Sequence, residues 1–340
     1  MPNRDMIVVG ASAGGVEALT QLVQGLPVDF PAAIFVVLHF PPFSVSALPQ
    51  ILSRVGKLPA LHPGDRTIIK PGQVYIAPPN YHLLIQPGHI RLSQGPREHG
   101  LRPAIDTTFR SAARAYNSQV IGVILTGALD DGTAGLLTIK SQGGLTIVQD
   151  PDEAMFDGMP RSALKYVAVD HIVKLSDLAA CLSQLIDEPI KEDSPVSEPL
   201  DQEAAIVAQD KAERERGEHP GDPSPLTCPD CGGVLWELQE GNLVRFRCHV
   251  GHAYSIESMA SEQASEVEKA LWSANRALEE KAALARRMAV QARQHHRNLS
   301  EAKFLARAEE AEQHAALLRQ IILQQDKVPP QLDAEASDSA

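Results

Sequence analysis

The strongest constraint in this chain is a rhythm of short apolar runs, at residues 6–9, 33–38, 74–77, 120–125 and 145–148, most of them separated by stretches of helical periodicity. Runs this brief, apolar on both faces and rich in Val and Ile, suit strands of a parallel sheet in which neither face meets water. Helices are expected over 14–24, 44–55, 104–116, 132–142 and 177–186. The alternation predicts an α/β fold, a doubly wound and mostly parallel sheet with helices on both faces, three layers in all. One departure is legible. Residues 81–86 and 89–94 flank Pro87-Gly88, a turn dipeptide, which predicts a β-hairpin outside the parallel order.

This pattern stops near residue 190. From 191 to 225 the chain carries ten acidic and four basic side chains and little to bury, so it reads as an acidic flexible linker, with one short helix over 202–214 at most. A small cysteine-bearing module follows at 226–254. Residues 255–327 then show heptad spacing: Val267, Leu271, Ala274, Leu278, Ala285 and Met288, and a second series of Phe304, Ala308, Ala311, Ala315, Leu318 and Ile322. Two such series separated by QARQHHRNLS predict an antiparallel helical hairpin or a coiled coil through which the chain self-associates. Residues 328–340 are expected to be a disordered tail.

Net charge follows the same division. The total of −12 splits into −2 over residues 1–190 and −10 over 191–340. With no basic stripe, nucleic acid is excluded as a non-specific partner. No apolar stretch is long enough to span a bilayer and there is no signal-peptide core, which places the chain in the cytoplasm.

Three strand ends carry reactive side chains. MIVVGASAGGVEAL reads as strand, glycine-rich turn and helix start, but Ser12 stands where a dinucleotide fingerprint needs its middle glycine, and no acidic residue closes the second run. A serine beside a helix N-terminus has an exposed hydroxyl and nearby backbone donors, which suits a nucleophile, although Ser is also a favoured helix cap. His39 ends the second run and Asp130-Asp131 follows the fourth. Carboxyl ends of parallel strands form the ligand crevice, so Ser, His and Asp at three such ends converge there.

GASAGGVEAL, VVLHFPP, VYIAPPNYHLLI, RPAIDTTFRSAA, VILTGALDDGTAGLL and FDGMPRSAL resemble, in order and spacing, the catalytic domain of the CheB family of chemotaxis protein-glutamate methylesterases, over about residues 5–188. The resemblance implies a serine esterase triad of Ser12, His39 and Asp131, and hydrolysis of glutamate γ-methyl esters on the cytoplasmic helices of methyl-accepting chemoreceptors. Deamidation of receptor glutamines by the same route, and no cofactor for catalysis, are implied with it. Backbone N–H groups at Ala13 and Ala128 are the expected oxyanion donors. Two departures are visible: Ala128-Leu129 replace the family's Met-Gly, and Gly100-Leu101 stand where a basic or histidine pair is common. Met1 lies a few residues before the first strand, so the family's receiver domain is expected to be absent. The alternatives are a signalling adaptor that keeps the esterase fold, and a serine hydrolase with another ester or amide substrate.

The cysteine module reads as a second site. Cys228 and Cys231 form a C-x2-C knuckle, and Cys248 and His252 follow a hairpin-like stretch, the pattern of a closed structural zinc ribbon. His249 competes with His252, but it neighbours Cys248, and adjacent side chains on an extended segment point apart. Redox chemistry is disfavoured because Cys228 does not open a helix after a strand. Cys181 is expected to be a buried helix residue.

Overall fold

In the computed structural model, residues 4–40, 46–188, 190 and 221–325 are described. The first element is strand β1 (Met6–Ala11), followed by helix α1 (Gly15–Gly25), β2 (Ala33–Leu38), α2 (Leu48–Val55), β3 (Ala60–Leu61) and β4 (Val74–Ile76). Next come the hairpin β5 (His82–Gln86) and β6 (His89–Ser93), then α3 (Ile105–Tyr116), β7 (Val120–Ile124), α4 (Thr133–Ser141), β8 (Leu145–Gln149), α5 (Gly158–Tyr166), β9 (His171–Val173) and α6 (Leu175–Leu185).

Seven of these strands form one sheet in the order β3-β4-β2-β1-β7-β8-β9, every neighbouring pair parallel. β5 and β6 pair with each other outside this sheet, as the Pro87-Gly88 turn predicts, and β6 also bridges Ile68. Period two along the strands divides the core. Ile7, Val9, Ile34, Val36, Ile121 and Val123 pack under α1, α2 and α6. Met6, Val8, Phe35, Val37, Val120 and Ile124 pack under α3, α4 and α5. Both faces are dry, hence the uninterrupted apolar runs.

Three elements escape the sequence pattern for physical reasons. β3 has two residues and β9 three, too few to show a period. α5 contains Gly158 and Pro160, which read as a break, yet Pro is tolerated in a first turn where the N–H has no helical partner. Cys181 lies on α6 as expected but is only partly buried, packed against the core's edge.

The cysteine module is a four-stranded antiparallel sheet of β10 (Asp222–Thr227), β11 (Val234–Glu240), β12 (Leu243–Cys248) and β13 (Ala253–Ser255), in that order. Residues 222–225, expected as linker, are thus strand, because they pair with β11 across a bulge. The expected helix over 202–214 and the tail from 328 lie outside the described residues. Two helices end the described chain, α7 (Ile256–Gln294) and α8 (Asn298–Gln325).

Two compact units divide the chain, Met1–Met259 and Ala260–Ala340. The ribbon sheet therefore belongs to the same unit as the α/β sheet, where the sequence reading has a module on a tether. Its own core is six buried residues, Cys228, Leu235, Phe246, Cys248, Tyr254 and Met259. It also packs on the larger lobe: Ala253 bridges Glu98, the His99 N–H donates to the Ala253 carbonyl at 2.7 Å and the Ala253 N–H to the Arg97 carbonyl at 3.3 Å.

In the second unit, Arg286 forks onto Glu312 with two bonds of 2.7 Å and Arg293 reaches Glu301 at 2.6 Å, so α7 and α8 run antiparallel as a hairpin. Ala282, Ala285, Ala289 and Ala292 of α7 and Ala308, Ala311, Ala315 and Ile322 of α8 are buried. Val267 and Met288, both expected in the seam, are exposed.

Candidate active site

The sheet order reverses between β1 and β7, because the chain winds one way from β1 through β2 and the other way from β7 through β8. A crevice opens at the carboxyl ends of strands on either side of such a point. Ser12 immediately follows β1, His39 follows β2, and Asp131 lies in the loop between β7 and α4. The Ser12 Oγ is 3.0 Å from His39 Nδ1, and His39 Nε2 is 2.9 Å from Asp131 Oδ2. A carboxylate only accepts, so the ring hydrogen sits on Nε2 and leaves Nδ1 free to accept from the serine hydroxyl. The two ring nitrogens thus have the opposite assignment from a chymotrypsin-type triad.

Backbone geometry fixes each member. The Ser12 N–H donates to the Thr126 carbonyl at 3.0 Å, and the Thr126 hydroxyl donates back to the Ala13 carbonyl at 2.9 Å, which ties the β1 turn to the loop after β7. A Cβ on Gly127 would lie 2.1 Å from Met159 Sδ and 2.9 Å from Ser12 Cβ, so only glycine fits beside the serine. A Cβ on Gly10 would meet Ile105 at 2.4 Å, so glycine there lets the first turn of α3 approach β1. That turn serves Asp131: the Ile105 N–H donates to Oδ2 at 2.7 Å and the Asp106 N–H to Oδ1 at 3.1 Å. Unpaired N–H groups of a helix start favour an anion. Burial acts to raise the Asp131 carboxyl, but the His39 hydrogen bond, the charges of His99 and His39 and the Ile105 N–H outweigh it and hold it below its ordinary range.

Beneath the triad lies a buried charge cluster that the motifs do not reveal. Glu98 is gripped by Arg110 of α3 on one oxygen and by Arg247 of β12 at 2.9 Å on the other. His99 Nε2 is 3.0 Å from Asp106 Oδ2 and 3.7 Å from Asp131 Oδ1, and its Nδ1 is 2.9 Å from Ser258 Oγ. Glu98, His99 and Asp106 converge closely enough to hold a metal, yet the two guanidiniums occupy Glu98, so the group is an ion-pair network. Burial lowers the His99 imidazole, but the Asp106 hydrogen bond and the charges of Asp131, Asp106 and Asp130 push it up to about 9. Burial raises Asp130 to about 6, with His99 and the Ser255 hydroxyl opposing it. No periodicity or spacing marks these residues, since partners such as His99 and Ser258 stand 159 apart.

The raised His99 sets a pH dependence. A cation favoured by the fold contributes stability that is complete below its unfolded pKa of about 6.5 and is lost as pH rises through about 9. Thermal unfolding between pH 7 and 10 is therefore expected to show a fall in Tm that His99→Gln flattens by roughly 5 °C or more. Equal slopes in both chains would contradict it.

Leu129 adopts φ 59°, in the left-handed region, with its side chain 47% exposed. This is the position at which the motif's glycine is replaced. A left-handed Leu costs about 1–2 kcal/mol, of which glycine's extra chain entropy takes back about 0.5–1 kcal/mol. Leu129→Gly is expected to raise Tm by about 1–3 °C. A lower Tm would show that the Leu129 side chain stabilises the loop.

At the second site, the sulfur and nitrogen ligand atoms of Cys228, Cys231, Cys248 and His252 all lie within 4.8 Å of one another. Each knuckle closes through its backbone: the Gly232 N–H donates to the Cys228 carbonyl at 2.8 Å and the Gly251 N–H to the Cys248 carbonyl at 2.9 Å, both glycines at positive φ. His252, not His249, is the histidine in the cluster.

A profile described as CheB methylesterase matches residues 7–182, more than half of the chain. The chain belongs to the CheB methylesterase family. A putative protein-glutamate methylesterase/protein-glutamine glutaminase of Leptospira interrogans is 40% identical over 184 residues, which cover 54% of this chain and 95% of that protein. The protein-glutamate methylesterase FrzG of Myxococcus xanthus is 37% identical over 187 residues, 55% of this chain and 56% of that one. Among solved structures, the CheB methylesterase catalytic domain of Thermotoga maritima is similar with a TM-score of 0.52 and 35% identity, over 54% of this chain and 98% of that chain. All six sequence blocks fall in the matched region, whereas the ribbon and the helical hairpin lie beyond it. The CheB relationship makes the chain a carboxylic ester hydrolase.

Proposed function

We propose that this chain hydrolyses glutamate γ-methyl esters on the cytoplasmic helices of methyl-accepting chemoreceptors, with Ser12 as nucleophile, His39 as general base and acid, and Asp131 orienting the imidazole. The observation that carries this reading is the hydrogen-bonded chain Ser12–His39–Asp131 at the carboxyl ends of the strands in a CheB methylesterase. Ser12 Oγ attacks the ester carbonyl as its proton passes to His39 Nδ1, and His39 returns that proton to the departing methoxide, releasing methanol. A water then gives its proton to His39 and adds to the glutamyl-serine ester, freeing glutamate and restoring Ser12. The same steps deamidate a glutamine, with ammonia in place of methanol. No cofactor takes part.

Among the described residues, neither the Ala13 N–H nor the Ala128 N–H has a backbone acceptor, which supports them as oxyanion donors. Exposed Met155 and Phe156 adjoin the serine turn, Met155 beside Gly14 and the Phe156 carbonyl accepting the Gly127 N–H at 2.9 Å, and they supply apolar contact for a receptor helix. Among the described residues no helix is long and apolar enough to cross a membrane, which is compatible with a cytoplasmic enzyme.

The second site fits structural zinc. A tetrahedral zinc with sulfur at about 2.3 Å and nitrogen at about 2.0–2.1 Å has S–S edges of about 3.8 Å and S–N edges of about 3.6 Å. Cys231 and Cys248 sulfurs are 3.7 Å apart, and His252 Nδ1 is 3.6 Å from Cys228 and 3.5 Å from Cys248. Cys228, Cys231, Cys248 and His252 would hold the ion with no open position. Self-association through the hairpin belongs to the same reading, supported by exposed Leu284, Leu317 and Ile321.

The decisive assay is methanol release from a methylated receptor cytoplasmic fragment by the full chain, with an enzyme-free blank. Release that exceeds the blank supports the esterase; no release, with ammonia or another product from other esters and amides, favours a different hydrolase.

A further inference from the structure

Both acidic residues that end the loop after β7 are tied to the ribbon. The Ser255 hydroxyl lies near Asp130 and opposes the rise of its carboxyl. Asp131 is reached through His99, whose ring lies between Ser258 Oγ at 2.9 Å and the two carboxylates Asp106, at 3.0 Å, and Asp131, at 3.7 Å. The main chain of His99 is clamped as well, by the Ala253 carbonyl and by Glu98, which Arg110 and Arg247 hold from opposite sides. Every member of this cluster is buried, and Ser255, Ser258, Ala253 and Arg247 all come from the ribbon or the first turn of α7.

We infer that His99 is a positioning residue for the Asp131 carboxylate and that the ribbon, through Ser258 and Ala253, is what holds His99 in place. This rests on the reading of Ser12, His39 and Asp131 as a triad. His39 uses Asp131 Oδ2, while among the described residues Oδ1 has the Asp106 N–H and, at 3.7 Å, the His99 ring. A cation on the Oδ1 side keeps the carboxylate ionised and its other oxygen turned to His39. Charge balance asks for it. The charged groups around His99 and its partners are Glu98 on its own segment, Asp106 and Arg110 from α3, Asp130 and Asp131 after β7 and Arg247 from β12, with Glu257 at the start of α7 and Lys165 of α5 acting on Asp130. Four buried carboxylates against two guanidiniums leave the cluster strongly negative, and His99 supplies the third cation. Since His99 touches no substrate, its effect falls on kcat and not on KM.

The test uses the full chain and the methanol assay, comparing wild type with Ser12→Ala, His99→Gln and Ser258→Ala over pH 6–10. Gln keeps a donor and an acceptor but not the charge. His99→Gln is expected to lower kcat by about 10- to 100-fold with KM unchanged, and to abolish the fall in activity near pH 9 that the wild type shows as His99 loses its proton. Ser258→Ala removes the acceptor for the protonated Nδ1, so its activity is expected to fall away at a lower pH than the wild type's. A folded His99→Gln with wild-type kcat, a loss confined to KM, or an unchanged alkaline fall would each overturn the inference. Should His99→Gln not fold, Ser258→Ala decides it, and a wild-type profile there overturns it. Methanol release by Ser12→Ala at a rate near the wild type's would instead bring down the triad reading on which the inference stands.

Discussion

Ser12→Ala is expected to slow methanol release by a factor of about 10⁴ or more, while the chain folds as before. The serine lies at the end of a strand whose neighbours hold it through backbone bonds, its N–H on the Thr126 carbonyl and its carbonyl accepting the Gly15 N–H, and neither involves the hydroxyl. Removing Oγ therefore removes chemistry without removing structure. The triad acts as a unit, so His39→Ala added to Ser12→Ala is expected to cost little more, because a base has nothing to activate once the nucleophile is gone. Rates that multiply in the double variant would mean that His39 activates water without Ser12. What activity remains would come from substrate binding and the oxyanion donors.

The second large effect is removal of metal. One zinc per chain is expected, falling to none in Cys248→Ser and His252→Ala, and measurable by elemental analysis of the purified chain. A ratio near one that survives both changes would refute the ligand set. Six buried residues make too small a core to hold a four-stranded sheet alone, and structural zinc contributes on the order of 10 kcal/mol in comparable small modules. Chelation is therefore expected to open residues 222–259 to protease while residues 6–185 stay resistant. Because Arg247 and Ala253 lie in the part that opens, the chelated chain also leaves Glu98 without one of its two guanidiniums. Resistance of the ribbon after complete metal loss would show that docking alone holds it.

Much of the catalytic lobe is legible because its signals are local. Strands buried on both faces announce themselves as apolar runs, and Ser12 and His39 stand at the ends of two of them. Asp130 and Asp131 are not separable by such reasoning, since both follow the same strand. Only Asp131 meets the N-terminus of α3 and His39, a contact that Gly10 permits from far along the chain. The hairpin shows a different failure of the pattern. Heptad spacing finds Ala285 but sets Met288 beside it and misses Ala282, Ala289 and Ala292, on which α7 also closes, because small residues allow backbones to approach and leave the larger ones outside. The ribbon's docking is the least legible feature. Cys spacing announces a knuckle, but nothing at Arg247 or Ser258 marks a partner 149 or 159 residues away.

That docking has a consequence for biosynthesis. All seven strands of the parallel sheet, together with Ser12, His39 and Asp131, precede residue 188, whereas Arg247, Ala253 and Ser258 follow by about 60–70 residues. At about 5–20 residues per second a ribosome completes the sheet several seconds before it delivers the surface that covers Glu98, His99 and Asp106. During that interval the nascent lobe carries a wetted charge cluster behind the Asp131 carboxylate, which is covered only once residues 247–258 have been made.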